Sequence, residues 1–281
     1  MAELSAEDRA LLRVEGVWFR YENDDEVLRD VSLTIPRGGL VGVIGPNGSG
    51  KSTLLRLLGG LSTPSRGYLT LDDDDLTSLS RRTLACRVAM VPQETQLAFE
   101  YSVLEIVMMG RYPHLGAFSI EGPDDYRIVT RALESTGTAH LSARLFTTLS
   151  GGEKQRVVIA SALTQLHGPR HTGTQLLLLD EPTASLDLGF QLEITELVRT
   201  LNAQGITVIV STHDLNLASS LCHELVLLRE GRVLAAGATT DLLTRNNVRA
   251  LYGVEAQMTR NAATGHTLVV PIARTQPGQG L

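Results

Sequence analysis

Gly45-Pro46-Asn47-Gly48-Ser49-Gly50-Lys51-Ser52-Thr53 sets glycines, a lysine and hydroxyls at the spacing G-x-x-x-x-G-K-[ST], which suits a polyphosphate. The glycines let the backbone wrap an anion, so that amide N–H groups and the positive end of the next helix face it. Lys51 would reach the terminal phosphates, and the Ser52 hydroxyl would ligate Mg²⁺. A plain glycine turn is the alternative, and the context argues against it. Leu40-Val41-Gly42-Val43-Ile44 precedes the loop and Leu54-Leu55-Arg56-Leu57-Leu58 follows it, giving the strand, loop and helix that the pattern requires.

A second segment, Leu176-Leu177-Leu178-Leu179-Asp180-Glu181, reads as a buried parallel strand with acids at its C-terminal edge, where open α/β sheets bind ligands. Taken alone it would be a solvated strand end. Beside a phosphate loop, Asp180 becomes a candidate for the Mg²⁺ shell and Glu181 for polarising an attacking water. In Leu149-Ser150-Gly151-Gly152-Glu153-Lys154-Gln155-Arg156, Ser150 suits an N-cap. Glu153, three residues on, completes a capping box that opens a helix from Glu153 to Gln165. The consecutive Gly151 and Gly152 would also expose backbone N–H groups to a second anion. One chain needs one cradle; two suggest a nucleotide shared between two chains.

Together these segments resemble the ATP-binding subunit of ABC transporters, from about Leu12 to Gly253, with Leu149 to Gln155 similar to that family's signature sequence. The resemblance implies ATP and Mg²⁺ as ligands and a head-to-tail dimer with a second copy of the chain. Gly45, Pro46, Asn47, Gly48, Ser49, Gly50, Lys51, Ser52 and Thr53 would hold the phosphates of one copy, facing Ser150, Gly151, Gly152, Glu153 and Asp187 of the other. Gln93, in Val91-Pro92-Gln93-Glu94, matches the glutamine that touches Mg²⁺ and the membrane partner, which gives Ser52, Gln93 and Asp180 as metal ligands. Ser185-Leu186-Asp187 resembles the D-loop. His213, in Ser211-Thr212-His213-Asp214, matches the switch histidine, and with Glu181 it forms the implied catalytic pair. The family stacks an aromatic ring on adenine. Trp18, Phe19 and Tyr21 all stand in the right segment, and the family register selects Tyr21.

The elements that must position these residues follow from pattern. Residues 1 to 93 alternate short β patterns with turn glycines and carry the phosphate loop with its helix; 94 to 166 read mainly as helix, with Pro123 opening a segment over Asp124 to Ser135. Alternation then resumes as strand 176–180, helix 189–203, strand 206–211, helix 214–222 and strand 224–229. The expected fold is α/β: a P-loop NTPase (RecA-like) core with an N-terminal antiparallel β subdomain and an inserted α-helical subdomain. Its ATP-binding domain spans 1–253, with the core at about 1–93 and 167–253 and the helical subdomain at about 94–166. Residues 254–281 form a short C-terminal extension. The polar stretch from His167 to Thr174 reads as a surface loop, and Asp72-Asp73-Asp74-Asp75 as a hairpin or strand-end loop instead of a cation site.

Composition narrows the function classes. At 281 residues, 43% hydrophobic and 20% charged, the chain can bury a sizeable core. A net charge of −6 argues against a general nucleic-acid binder. No stretch approaches the roughly 18 apolar residues of a membrane span, and the acidic start Met1-Ala2-Glu3-Leu4 lacks the order of a signal peptide. Cys86 and Cys222 have no metal-ligand spacing and are expected to be buried, reduced thiols. The resemblance therefore implies a peripheral protein on the cytoplasmic face of the membrane, working with transmembrane permease subunits and, through them, with a periplasmic or surface substrate-binding protein. Gly110-Arg111-Tyr112-Pro113-His114 resembles a stretch in the importers of iron–siderophores, haem and vitamin B12. Zinc or manganese importers, soluble ABC ATPases of repair or translation, and iron–sulfur assembly ATPases are the alternatives. A single cassette without sustained heptads disfavours the repair and translation types. Arg111 and Tyr112, polar and aromatic at the end of an apolar helix, are expected to touch the permease.

Overall fold

The computed structural model describes residues 10–22, 25–95, 99–116, 119–168 and 175–274. The first residues, Met1–Asp8, and most of the polar stretch, 169–174, lie outside the described residues. The chain divides into two compact units, 1–75 with 209–281, and 76–208.

In the first unit, strand β1 (Ala10–Arg20) buries Leu12, Val14, Val17 and Phe19. It pairs antiparallel with β2 (Glu26–Pro36), Val14 opposite Leu33, and with β4 (Arg66–Leu71), Val14 opposite Leu69. The buried set would fall out of alternation between Val14 and Val17. Gly16, at φ 57, absorbs the extra residue as a bulge, and its N–H donates to Ser32 Oγ at 2.9 Å. The aspartate run closes a hairpin from β4 to β5 (Asp74–Asp75). Asp72 and Asp73 both have positive φ (52° and 67°), as the mirror-image two-residue turn demands. Among the described residues no cluster of three or more His, Cys, Asp or Glu is arranged to hold a metal.

A second sheet of this unit has strand β3 (Leu40–Ile44), buried along its whole length, parallel to β9 (Glu224–Arg229) with Ile44 opposite Leu227. Both faces of β3 are covered, so it needs no polar alternation. β10 (Arg232–Ala238) flanks β9 antiparallel, and β8 (Thr207–Thr212) flanks β3. Helix α1 (Lys51–Leu58) follows β3, and α7 (Leu215–Leu221) follows β8. Gly42 lies where a Cβ would meet Cys222 Sγ at 3.0 Å, which accounts for that cysteine as a buried packing residue. After α8 (Thr239–Leu242) and α9 (Arg245–Tyr252), Gly253 turns left-handed and the C-terminal extension forms a hairpin of β11 (Val254–Arg260) and β12 (Thr267–Arg274).

In the second unit β6 (Val88–Val91) runs parallel to β7 (Leu176–Asp180), with Val91 opposite Leu179. Helices α2 (Arg81–Ala85), α3 (Val103–Met109), α4 (Pro123–Ser135), α5 (Gly151–Leu166) and α6 (Leu188–Ala203) complete it. The core of its helical part joins Val103 and Val107 of α3, Val129 and Leu133 of α4, and Val157, Ala160 and Leu163 of α5. Each fully buried leucine or valine contributes roughly 1.5–3 kcal/mol of transfer free energy. The signature helix begins at Gly151, two residues before the expected Glu153, because the capping box at Ser150 lets both glycines take helical geometry.

One expectation fails here. Arg111 is not a permease contact: it is 1% exposed. Its Nε donates to Asp125 Oδ1 at 2.9 Å and its Nη1 to the Thr164 carbonyl at 2.6 Å, with a further bond to the His167 carbonyl. The guanidinium thus joins the end of α3 to the start of α4 and to the carbonyl-rich end of α5, where a cation is favoured by the helix dipole. Burial pushes the Asp125 carboxyl up, but the Gly122 N–H and the Arg111 guanidinium outweigh it and hold it below its ordinary value. The neighbouring letters have packing reasons too. A Cβ on Gly110 would lie 2.1 Å from Thr164 Oγ1, the Pro113 carbonyl accepts Arg82 Nε–H at 2.7 Å, and His114 Nε2 donates to the Gln165 carbonyl at 2.7 Å. Only Tyr112 faces outward, 57% exposed.

Candidate nucleotide site

The phosphate loop belongs to the first unit. It leaves β3 at Gly45, where a Cβ would sit 2.1 Å from the Leu228 carbonyl, so only glycine fits between loop and β9. Gly48 (φ 78) and Gly50 (φ 101) take left-handed geometry, and Gly50 caps α1. The Gly231 N–H donates to the Ser49 carbonyl at 3.0 Å, tying the loop to the β9–β10 turn. Lys51 is buried, and its Nζ donates to the Gly45 and Pro46 carbonyls at 2.9 and 3.2 Å. The ammonium therefore lies against its own loop, held by neutral oxygens that a phosphate can outbid. Ser49 Oγ is buried without a hydrogen-bond partner. A buried hydroxyl left so costs about 1–3 kcal/mol, which an anion's oxygen in the loop would recover. Asn47, Gly48 and Ser52 are exposed at its mouth, and Pro46 is half-buried.

Tyr21 stands beside this cradle. Its hydroxyl shares a hydrogen bond with Thr53 Oγ1 at 3.2 Å, in the first turn of α1, and its ring meets Phe19 edge-on at 4.9 Å. Phe19 is buried, and Trp18 carries the Arg66 and Arg232 guanidiniums over its ring at 5.8 and 5.9 Å. Of the three aromatic candidates, Tyr21 keeps its ring 39% exposed beside the loop. His213 follows β8 directly and is exposed, while Asp214 caps α7 through the Asn216 and Leu217 N–H groups.

The remaining candidates lie in the second unit. Asp180, 5% exposed, ends β7, and Gln93, exposed, stands two residues beyond the end of β6. Since these strands are parallel neighbours, both residues occupy one C-terminal sheet edge, where such sheets place ligands. Glu181 takes φ 46 and Ser185 φ 62, left-handed conformations that cost a non-glycine residue about 1–2 kcal/mol each. Such strain just after β7 makes this segment a candidate for function. Asp187 caps α6, accepting the Phe190 N–H at 3.0 Å. The amide of Gln93 and the carboxylate of Asp180 are oxygen donors of the kind that suit a hard cation with waters in its shell.

Ser150 caps α5 as expected: its N–H donates to Glu153 Oε2 at 2.8 Å, and its Oγ accepts the Glu153 N–H at 3.3 Å. The Ser150 N–H holds the Glu153 carboxyl below its usual range. The two glycines have different surroundings. Gly151 is exposed, whereas a Cβ on Gly152 would lie 2.2 Å from the Phe190 ring, so Gly152 is explained by packing on α6. Arg156 stacks over the same ring at 5.9 Å and pairs with Glu193 at 3.0 Å.

The model of the ABC transporter family matches residues 28–184, and the chain belongs to that family. Among its relatives, a hemin import ATP-binding protein of Gloeobacter violaceus is 38% identical over 96% of both chains. The ferric enterobactin transport ATP-binding protein of Escherichia coli is 37% identical over 89% of this chain and 90% of its own. A cobalamin import ATP-binding protein of Halobacterium salinarum is 43% identical over 88% of this chain, which spans 60% of that relative's length. A solved metal-chelate type ABC transporter in an inward-facing conformation superposes with a TM-score of 0.80 at 32% identity, covering 94% of this chain and 98% of the other.

Proposed function

We propose that this chain binds and hydrolyses ATP in a head-to-tail dimer and so drives uptake of an iron chelate, haem or cobalamin through a membrane permease. The observation that carries the reading is the loop around Lys51, with its ammonium on displaceable carbonyls and the orphaned Ser49 hydroxyl beside it. ATP phosphates entering the loop take the Lys51 ammonium and the amides at the start of α1, and Tyr21 stacks on the adenine. Gly45, Pro46, Asn47, Gly48, Gly50 and Thr53 shape the cradle. Ser52, Gln93 and Asp180 would hold Mg²⁺, which would supply charge neutralisation on the phosphates. Ser150 and the exposed Gly151 of a second copy, with Gly152, Glu153 and Asp187 behind them, close over the γ-phosphate. Glu181 accepts a proton from the attacking water, and His213 contacts the γ-phosphate and orients it. The new P–O bond from water replaces the bond between the γ-phosphorus and the bridging oxygen, so ADP stays in the loop and inorganic phosphate carries the γ-charge away. The link between the copies weakens and the dimer opens, and the difference in affinity for ATP and ADP drives the permease.

The chain then works as a peripheral subunit on the cytoplasmic face of a membrane, beneath a permease that receives cargo from a substrate-binding protein. No helix among the described residues is long and apolar enough to cross a membrane. The metal-chelate cargo is favoured by the names of the relatives. In the test, Glu181→Gln should bind ATP yet turn over very slowly and run as a dimer on gel filtration with ATP and Mg²⁺. Ser150→Arg should bind ATP as a monomer and not hydrolyse it. Wild-type turnover by Glu181→Gln rejects the chemical role, and loss of ATP binding in Ser150→Arg rejects the shared site.

A further inference from the structure

The end of α9 and the C-terminal hairpin that follows it are fastened to the segment that carries His213 by side chains that the nucleotide chemistry does not use. At the last residue of α9, the Tyr252 hydroxyl donates to the His213 carbonyl at 3.0 Å. In the first turn of α7, Asn216 clasps one residue of β12 with both ends of its amide. Its Nδ2 donates to the Val269 carbonyl at 3.3 Å and its Oδ1 accepts the Val269 N–H at 2.8 Å. Val269 is itself 5% exposed, while Asn216 is exposed, so the clasp joins a surface side chain to a buried strand position. Between the two attachments the Asp214 N–H donates to Thr212 Oγ1 at 3.0 Å, and the Asp214 carboxylate caps α7.

The backbone of His213 is therefore held behind by β8, ahead by the capped start of α7, and at its own carbonyl by Tyr252. His213 is exposed. An exposed side chain on an unsupported loop spreads over positions, and displacement of a reacting group by about 1 Å can cost on the order of 100-fold in rate. We propose that Tyr252 and Asn216 are positioning residues for His213, and that the β11–β12 hairpin is the strut that keeps the switch segment in place for the γ-phosphate. The inference rests on the reading of His213 as a γ-phosphate contact. It assigns the extension beyond Gly253 a part in turnover, not in binding.

The experiment uses the full chain and measures steady-state ATPase, ATP affinity and melting temperature for Tyr252→Phe, Asn216→Ala, His213→Ala and the double variant Tyr252→Phe/His213→Ala. Tyr252→Phe keeps the ring and removes one hydrogen bond, so kcat should fall about fivefold, with KM and ATP affinity within about twofold of wild type. Asn216→Ala should lower kcat at least as much. The double variant should be no slower than His213→Ala, because Tyr252 acts only through that histidine. Wild-type kcat in Tyr252→Phe, whatever its melting temperature, overturns the inference. So does a further fivefold fall in the double variant. If Asn216→Ala does not fold, Tyr252→Phe decides alone. Should His213→Ala itself turn over like wild type, the reading of His213 is what fails, and the inference falls with it for a visibly different reason.

Discussion

Two glycine–cation pairs in this chain have opposite uses. Gly50-Lys51 belongs to the phosphate loop; Gly110-Arg111 belongs to a joint among three helices. Both cations are buried and both donate to main-chain carbonyls. The difference lies in what surrounds them. Around Lys51 the mouth of the loop is open: a Cβ on Gly48 would meet nothing within 4 Å, although one on Gly50 would lie 2.8 Å from Leu28 Cδ2, and the ammonium's partners include neutral carbonyls of its own loop. Around Arg111 room is used up: a Cβ on Gly110 would lie 2.1 Å from Thr164 Oγ1, and the fork is fixed by a carboxylate and by helix-end carbonyls. Lysine offers a compact charge that can change partners, whereas arginine's planar fork suits permanent recognition. A glycine next to a cation is a site when space remains in front of the charge, and a joint when none does.

The strongest test of that contrast exchanges losses of stability and of ligand. Arg111→Ala should destabilise the fold by about 2–4 kcal/mol, because it empties the space of a buried side chain and leaves the Thr164 and His167 carbonyls without their donor. Chemical denaturation measures this, and the folded fraction should still bind ATP. Lys51→Ala should leave the denaturation midpoint nearly unchanged and weaken ATP at least about tenfold, a charge-assisted bond being worth roughly 1.5–3 kcal/mol. A reversal of these two phenotypes breaks the comparison.

The glycines give a smaller effect. Gly110→Ala should cost about 1–3 kcal/mol through overpacking against α5. Gly48→Ala meets only backbone strain from its positive φ, about 1–2 kcal/mol, and its cost should appear mainly in nucleotide affinity.

Acid sharpens the picture further. The Asp125 carboxyl is held below its ordinary value in the folded protein, so its contribution is fully present above the unfolded value, about 3.9, and is lost as pH falls through the lower folded value. The gap in denaturation midpoint between wild type and Asp125→Asn should therefore be constant near neutrality and narrow below about pH 4. A gap that persists in strong acid would place the stabilisation elsewhere. The smallest expected change is for Tyr112→Ala, within about 0.5 kcal/mol of wild-type stability; its effect, if the permease docks there, is seen in co-purification with the permease and not in denaturation.

These contrasts also show what a sequence reveals. The phosphate loop's geometry, the place of Asp180 and Glu181 at the end of β7, the capping box at Ser150 and the strands that carry them are local in the chain, and each was legible because its physics is complete within a few residues. The helix ends lay within two residues of expectation for the same reason. Arg111 was misread because its partners, Asp125, Thr164 and His167, are 14 to 56 positions away, and an arginine closing an apolar helix looks alike whether it faces water or a neighbouring helix. Gly152 carried a second meaning that only the Phe190 ring discloses. Tyr252 and Asn216 gave no local signal: a tyrosine ending a helix becomes informative only once its hydroxyl is found on His213.

The contact of Gly152 with Phe190 has a mechanical consequence. With the ring wedged into the first turn of α5, and Arg156 gripping both that ring and Glu193, the front ends of α5 and α6 are welded into one stiff piece. Ser150 and Asp187, capping those two helices, then travel as a pair.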